Sequence, residues 1–212
     1  LSADTSHTYG IGVSNAEDAV ISDNEFSGLY MAVKPSMWPG EAPSKSIVLT
    51  SNMFTSCYVG IMMRTSDVEP GAVVSKDNEF GMLTKIPYAG LNGDYALVWQ
   101  SEDGHLYPDV NNAASAGKTS LALVRDLNLG SAANVDDGQD VTIDLNGHKL
   151  NGSLTNFGNL TIKDSAGSDG AVSSIEIDGT GTTTIAGGTY DSNPYDKGFF
   201  GENSQVADGH GT

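Results

Sequence analysis

The side chains with the greatest chemical reach in this sequence gather around two insertions. Residues 34–46, KPSMWPGEAPSKS, and residues 64–71, RTSDVEPG, interrupt otherwise regular copies of one short pattern and leave it at the same point. Lys34, Trp38 and Glu41 belong to the first, Arg64, Asp67 and Glu69 to the second, and Tyr30 and Tyr58 hold matching positions just before them. An exposed aromatic platform flanked by carboxylates and a guanidinium suits sugar recognition: ring faces meet the C–H surface, and charged forks meet the hydroxyls. Tyr30, Trp38, Tyr58, Arg64, Asp67 and Glu69 are therefore the candidate glycan-binding residues. A packing role competes for Trp38, which together with Met37 would fold back over the edge of the repeat.

Other chemistry finds less support. Hydrolysis of a glycosidic bond takes two carboxyls roughly 5–9.5 Å apart. Asp67 and Glu69 are close in sequence, and Glu41 and Asp67 become close if the insertions touch. Such proximity is cheap in a chain with 27 Asp and Glu, so no catalytic residue is assigned. Residues 134–140, NVDDGQD, have the flavour of a calcium loop, but the Gly falls one place early and no Glu closes it; they read as a hairpin turn. His7, His105, His148 and His210 are scattered without metal-ligand spacing. No P-loop, nucleophile elbow or dinucleotide fingerprint occurs, and no metal or cofactor is expected. Cys57, the single cysteine, reads as a small buried hydrophobe and rules out an intrachain disulfide.

The elements that must position these residues are revealed by internal copying. Residues 47–63, IVLTSNMFTSCYVGIMM, repeat residues 19–33, AVISDNEFSGLYMAV, and are repeated by residues 73–83, VVSKDNEFGML. Asn24, Asn52 and Asn78 share one register, as do Phe26, Phe54 and Phe80 two residues on, and each follows a short β-branched run. Such a unit cannot bury its own apolar face, so units stack and share a core. The recurring Asn would take the left-handed bend between strands and hydrogen-bond to the Asn of the next coil, with the Phe stacked inside. Alignment pairs Leu29 with Cys57, Met31 with Val59 and Val33 with Ile61 as an alternating core-facing set, leaving Tyr30 and Tyr58 outward together. Tyr9 to Val13 match the same position one coil earlier, and the pattern degrades after Phe80 through Ile86, Pro87 and Tyr88.

These residues resemble the right-handed parallel β-helix proteins of the pectate-lyase-like superfamily, over residues 8–86. The resemblance implies a fold and not an activity. Lyases of that group hold calcium on carboxylates stacked over successive coils. Here Asp23 and Asp77 are in register but Ser51 lies between them, so turn stabilisation is the reading for both.

Beyond a boundary at residues 90–93, GLNG, a short hairpin is expected from YALVWQ and HLY, then a helix of at most two turns, capped by Asp109 and stopped at Gly117. Strand patterns return from Ser120. VTIDLNGHKL, TNFGNLTIKDSAG, TIAGGTY and the closing VADG resemble, in order, the β-solenoid repeats of large Gram-positive gut-bacterial surface proteins. That resemblance implies a short helix capping a second right-handed solenoid and attachment to a cell-wall-anchored parent.

Composition narrows the partners. A net charge of −17 with 10 Lys and Arg lacks the basic footprint that nucleic acid or an anionic membrane requires, and no apolar run is long enough to insert into a bilayer. The chain opens on Leu1 and Ser2, which reads as a piece of a longer polypeptide with coils missing upstream. The expectation is an all-β fold of two consecutive right-handed parallel β-helix or solenoid segments with one short capping helix. Residues 1–94 would be the C-terminal coils of a β-helix, and residues 95–212 a helix-capped repeat domain. Function is expected to be that of a structural and carbohydrate-binding module, extracellular, on the surface or cell wall of a bacterium. Its partners would be a glycan or polysaccharide and further domains of the same polypeptide. The alternative is the terminal part of a β-helix glycoside hydrolase or polysaccharide lyase.

Overall fold

The computed structural model describes residues 8–35, 42–89, 97–130, 133–167, 172–191 and 205–206. The chain is a parallel β-solenoid of about 7 turns, and among the described residues it is all-β apart from one short helix. It forms two compact units, Leu1–Leu97 with Asp103–Pro108, and Val98–Glu102 with Asp109–Thr212.

In the first unit, β1 (Tyr9–Val13) precedes successive coils of three short strands: β2 (Ala19–Ser22), β3 (Glu25–Ser27) and β4 (Met31–Pro35), then β5 (Ile47–Thr50), β6 (Met53–Thr55) and β7 (Val59–Met62), then β8 (Val73–Lys76), β9 (Glu79–Phe80) and β10 (Ile86–Ala89). Corresponding strands pair in parallel as β1-β4-β7-β10, β2-β5-β8 and β3-β6-β9. The pattern therefore runs on past Phe80, where the sequence reads as degraded: Ile86 pairs with Val59 and Tyr88 with Ile61. After β11 (Trp99–Ser101), β12 (His105–Tyr107) lies antiparallel along β8 and closes an edge that would otherwise expose unpaired backbone.

The recurring Asn and Phe do the stacking. Asn24 Nδ2 donates to Asn52 Oδ1 at 3.0 Å, and Asn52 Nδ2 to Asn78 Oδ1 at 2.9 Å. The backbone N–H of Asn24 and of Asn52 reinforces each link at 3.1 and 3.0 Å. Asn52 Nδ2 also donates to the Ile21 carbonyl at 2.8 Å, so a buried amide is fully employed. Phe26, Phe54 and Phe80 stack with centroids 5.1 and 4.9 Å apart and near-parallel rings. The left-handed bend falls on the residue before each Asn: Asp23, Ser51 and Asp77 have φ of 58°, 56° and 53°. Asn cannot take it, because its side chain must turn inward to bond along the column.

The expected alternation along β4 and β7 is only partly kept. Met31, Val33, Cys57, Val59 and Ile61 are buried and Leu29 is half-buried, yet Ala32, Gly60 and Met62 are buried as well. Both faces of β7 are thus covered. At Gly60 a Cβ would stand 2.6 Å from the Phe80 ring, so the phenylalanine column requires glycine there.

In the second unit, α1 (Val110–Ser115) is capped as expected: Asp109 accepts from the Asn112 N–H at 2.7 Å, and Gly117 takes φ +74°. Val110 and Ala113 are its buried residues. The strands β13 (Ser120–Leu123), β14 (Leu127–Asn128), β15 (Ala133–Val135), β16 (Asp140–Asp144), β17 (Leu150–Asn156), β18 (Asn159–Lys163), β19 (Val172–Asp178), β20 (Thr182–Ile185), β21 (Thr189–Tyr190) and β22 (Gln205–Val206) follow. β13-β16-β18-β20-β22 form one parallel sheet and β14-β17-β19-β21 another, with β15 also on β17, while β11 joins β13 antiparallel. Leu121, Ile143, Ile162 and Ile185 make an inner aliphatic column.

Carboxylates tie the turns of this unit together. Asp144 accepts from the N–H of Asn146 and of Ser165 one coil on, both at 2.9 Å, and Asp164 accepts from the Gly147 N–H at 2.8 Å. Burial alone would raise the Asp144 pKa; the Ser165 and Asn146 donors and the Lys163 ammonium outweigh it and hold the group below the ordinary carboxylate value.

Two outcomes are expected. Asn52→Ala strands donors on Asn24 and the buried Ile21 carbonyl, and should cost about 2–3 kcal/mol in urea unfolding, whereas a loss below about 0.5 kcal/mol would deny the ladder its role. Because the folded pKa of Asp144 is depressed, its ionised form stabilises the fold above the unfolded-state pKa, and this contribution disappears as pH falls through the folded value. Asp144→Asn should therefore melt below wild type at neutral pH, and the two melting curves should converge as the pH is taken below about 4; a gap that persists unchanged in acid would refute the assignment.

Candidate functional site

The outward face of the first unit carries an aromatic column. Thr8, Tyr30, Tyr58 and Lys85 succeed one another, since the N–H groups of Met31, Val59 and Ile86 donate to the carbonyls of Thr8, Tyr30 and Tyr58 at 3.2, 2.9 and 3.0 Å. Left-handed residues two places earlier, Gly28 at φ 67° and Ser56 at φ 56°, turn the chain so that the tyrosines emerge together. Tyr30 and Tyr58 stack at 5.1 Å with rings 13° from parallel, and Tyr9 meets Tyr30 edge-on at 6.4 Å. Lys34 Nζ lies 5.0 Å above the Tyr9 ring and Lys85 Nζ 5.0 Å above the Tyr58 ring. Tyr9 is 48% and Tyr58 39% exposed. Tyr30 leans on the buried group Met31, Val59, Met62 and Ala89, which forms a firm pedestal.

This geometry changes the chemistry on offer. Tyr58, with Tyr30 on one face and the Lys85 ammonium on the ring as well, has no face left for the C–H surface of a sugar, and Tyr30 has one face taken by Tyr58. What the strip presents is ring edges, phenolic hydroxyls and two ammonium groups.

The second cluster is built differently. Arg64 holds Asp67 in a two-pronged clasp, Nη2 donating to Oδ1 at 2.7 Å and Nε to Oδ2, with the Asp67 side chain wholly enclosed. Around it the described parts of both insertions run side by side: the Ser44 N–H donates to the Asp67 carbonyl and the Glu69 N–H to the Ser44 carbonyl, each at 2.9 Å, through a parallel bridge between Ser44 and Val68. Ser44 Oγ accepts from the Ala16 N–H one coil earlier. Glu69 is exposed. Lys45 pairs with Glu17 at 2.9 Å, and the Lys45 pKa is raised by that hydrogen bond and charge, with a smaller push from Glu69.

The tyrosine pair and the Arg64–Asp67 clasp stand at opposite ends of β7, so their backbones are about 20 Å apart at the rise of an extended strand. The structure groups Tyr30 with Tyr58 and Arg64 with Asp67, and separates the two groups. Trp38 and Glu41 lie outside the described residues. Sequence reading left Tyr9 out of the site and also missed Lys85. Its signal was present, because it stands 27 residues after Tyr58, but the non-aromatic residue hid the continuing register.

Elsewhere, residues 136–139 turn, with the Gln139 N–H donating to the Asp136 carbonyl at 3.1 Å and Gly138 at φ 76°, but no hairpin forms, because β15 pairs in parallel with β17 and β16 with β13 and β18, which makes this a corner between two sheets. Among the described residues no group of three or more His, Cys, Asp or Glu is placed to hold a metal ion, and no helix is long and apolar enough to cross a membrane. No family model, no curated protein and no solved structure matches the chain.

Removing Asp67 leaves the Arg64 guanidinium facing an enclosed void and frees the insertion from its anchor. Asp67→Ala should cost about 3 kcal/mol, read by urea unfolding. A loss of less than about 1 kcal/mol would mean that the clasp is solvated and the insertions hold each other by backbone alone.

Proposed function

We propose that this chain is a structural and carbohydrate-binding module of an extracellular bacterial surface protein, and that the tyrosine–lysine strip of its first unit is the glycan contact. The supporting observation is the strip itself: Tyr9, Tyr30 and Tyr58 with Lys34 and Lys85, one aromatic per coil, partly exposed on a packed pedestal. A soluble protein gains nothing in stability from leaving Tyr9 and Tyr58 in water, while a ligand running across the coils meets a regular row of donors. In this reading Tyr30 and Tyr58 touch the glycan, Arg64 and Asp67 brace the second insertion, and Trp38 and Glu69 add contacts from the insertion corner.

The finer assignments belong to the same proposal. The Asn-x-Phe columns support a pectate-lyase-like right-handed β-helix, and the DLNGH and GNLTIKDSAG motifs support a repeat of Gram-positive surface proteins, with further domains of the same polypeptide as partners and the cell surface or cell wall as its location. The hydrolase or lyase alternative has less support, since Asp67, the central carboxylate of any pairing at the corner, is committed to Arg64.

A glycan array probed with the wild-type chain tests this reading. Tyr58→Ala should lower binding at least tenfold and shift the melting temperature by only a few degrees, and Trp38→Ala should weaken binding without unfolding. Absence of binding to every glycan, or binding indifferent to Tyr58→Ala, would defeat it.

A further inference from the structure

The two ammonium groups of the strip are spaced. Lys34 sits over Tyr9 and Lys85 over Tyr58, and Tyr9 and Tyr58 belong to coils separated by the coil of Tyr30. Parallel strands lie 4.7–4.9 Å apart, so the two charges are offset by about 10 Å along the solenoid axis. Neither lysine has a carboxylate partner among the described residues. Between them, the stacked Tyr30 and Tyr58 offer phenolic hydroxyls. Read along the axis, the strip is cation, phenols, cation.

Resting on the glycan reading above, we infer that the ligand is an acidic polysaccharide of low charge density, with an anionic group on every second sugar, lying along the solenoid axis. Two coil spacings match the length of an extended disaccharide, so a carboxylate or sulfate on alternate sugars falls at each lysine, and the intervening neutral sugar falls at the phenols. The stacked faces of Tyr30 and Tyr58 are filled by each other and by Lys85, so a neutral glycan finds no stacking surface between them, and among the described residues the two ammonium groups have no carboxylate acceptor.

Charge density reconciles this ligand with an acidic protein. Duplex DNA carries a charge every 1.7 Å or so and needs many cations at once. A sparse polyanion needs few, and at physiological salt the Debye length of about 8 Å screens it from carboxylates on other faces. A polymer charged on every sugar would place unpaired anions beside Tyr30, with no cation to meet them.

The test is NMR titration of the whole chain, observing the Tyr9, Tyr30 and Tyr58 ring signals at about 0.15 M salt. Three oligosaccharides of equal length serve as probes: hyaluronate, acidic on alternate sugars; oligogalacturonate, acidic on every sugar; and cellohexaose, neutral. Hyaluronate should bind most tightly, and Lys34→Gln and Lys85→Gln should each weaken it about fivefold, the double variant more, with melting temperatures unchanged. Oligogalacturonate or cellohexaose binding as tightly as hyaluronate, or lysine variants that bind like wild type, would overturn the charge spacing and leave glycan binding standing. No shift of any tyrosine signal with all three probes, together with an empty glycan array, would overturn both.

Discussion

The asparagine ladder is the constraint on which the first unit depends. Asn24 and Asn52 spend their amide donors on the next coil and on a strand carbonyl, and the Oδ1 of Asn52 and of Asn78 each receives two hydrogens, so no rung can shift without leaving buried polar groups unpaired. Hydrophobic stacking alone would tolerate slippage between coils, because aliphatic columns look much the same one step along. The ladder does not. By fixing Asn24, Asn52 and Asn78 face to face, it also fixes Phe26 over Phe54 over Phe80 two residues later, and Tyr30 over Tyr58 a short turn beyond.

That chain of consequences explains why a regular outer surface accompanies a regular core. The phenylalanine column demands glycine at Gly60, and the turns demand positive φ at Gly28 and Ser56; the same geometry aims the tyrosines outward in register. A row of like side chains at coil spacing is therefore a by-product that a solenoid obtains without further design. Function needs only the choice of residue at each step, and Lys85 in place of another tyrosine is such a choice. It ends the aromatic run with a charge.

Much of this was legible in the sequence because stacking copies residue types as well as spacings. Asn52 and Phe54 could be read as rungs, and Asp109 and Gly117 as helix ends, since each rests on local chemistry that context rarely overrides. What stayed hidden depends on three dimensions. The left-handed residue is Asp23 rather than Asn24, because an amide that must point inward cannot also take the bend. Met62 is buried against a strict alternation because both faces of β7 are covered. The candidate site divided into two for a similarly simple reason: sequence shows that both insertions leave at one corner and that the tyrosines precede them, but the length of β7 intervenes.

The acidic composition also acquires a meaning that charge counting lacked. In the second unit, Asp126, Asp144 and Asp164 accept from backbone N–H groups of neighbouring coils, doing for these turns what the asparagines do in the first unit. Carboxylates are good acceptors at such turns and donate nothing, so a solenoid closed by them accumulates negative charge as it lengthens. Part of the −17 is thus a cost of coil closure and need not describe what the protein binds. Against that background two lysines poised over tyrosines stand out, since among the described residues neither has a carboxylate partner. In the proposed reading their charge meets an acidic glycan, and their spacing is set by the same coil repeat that set everything else.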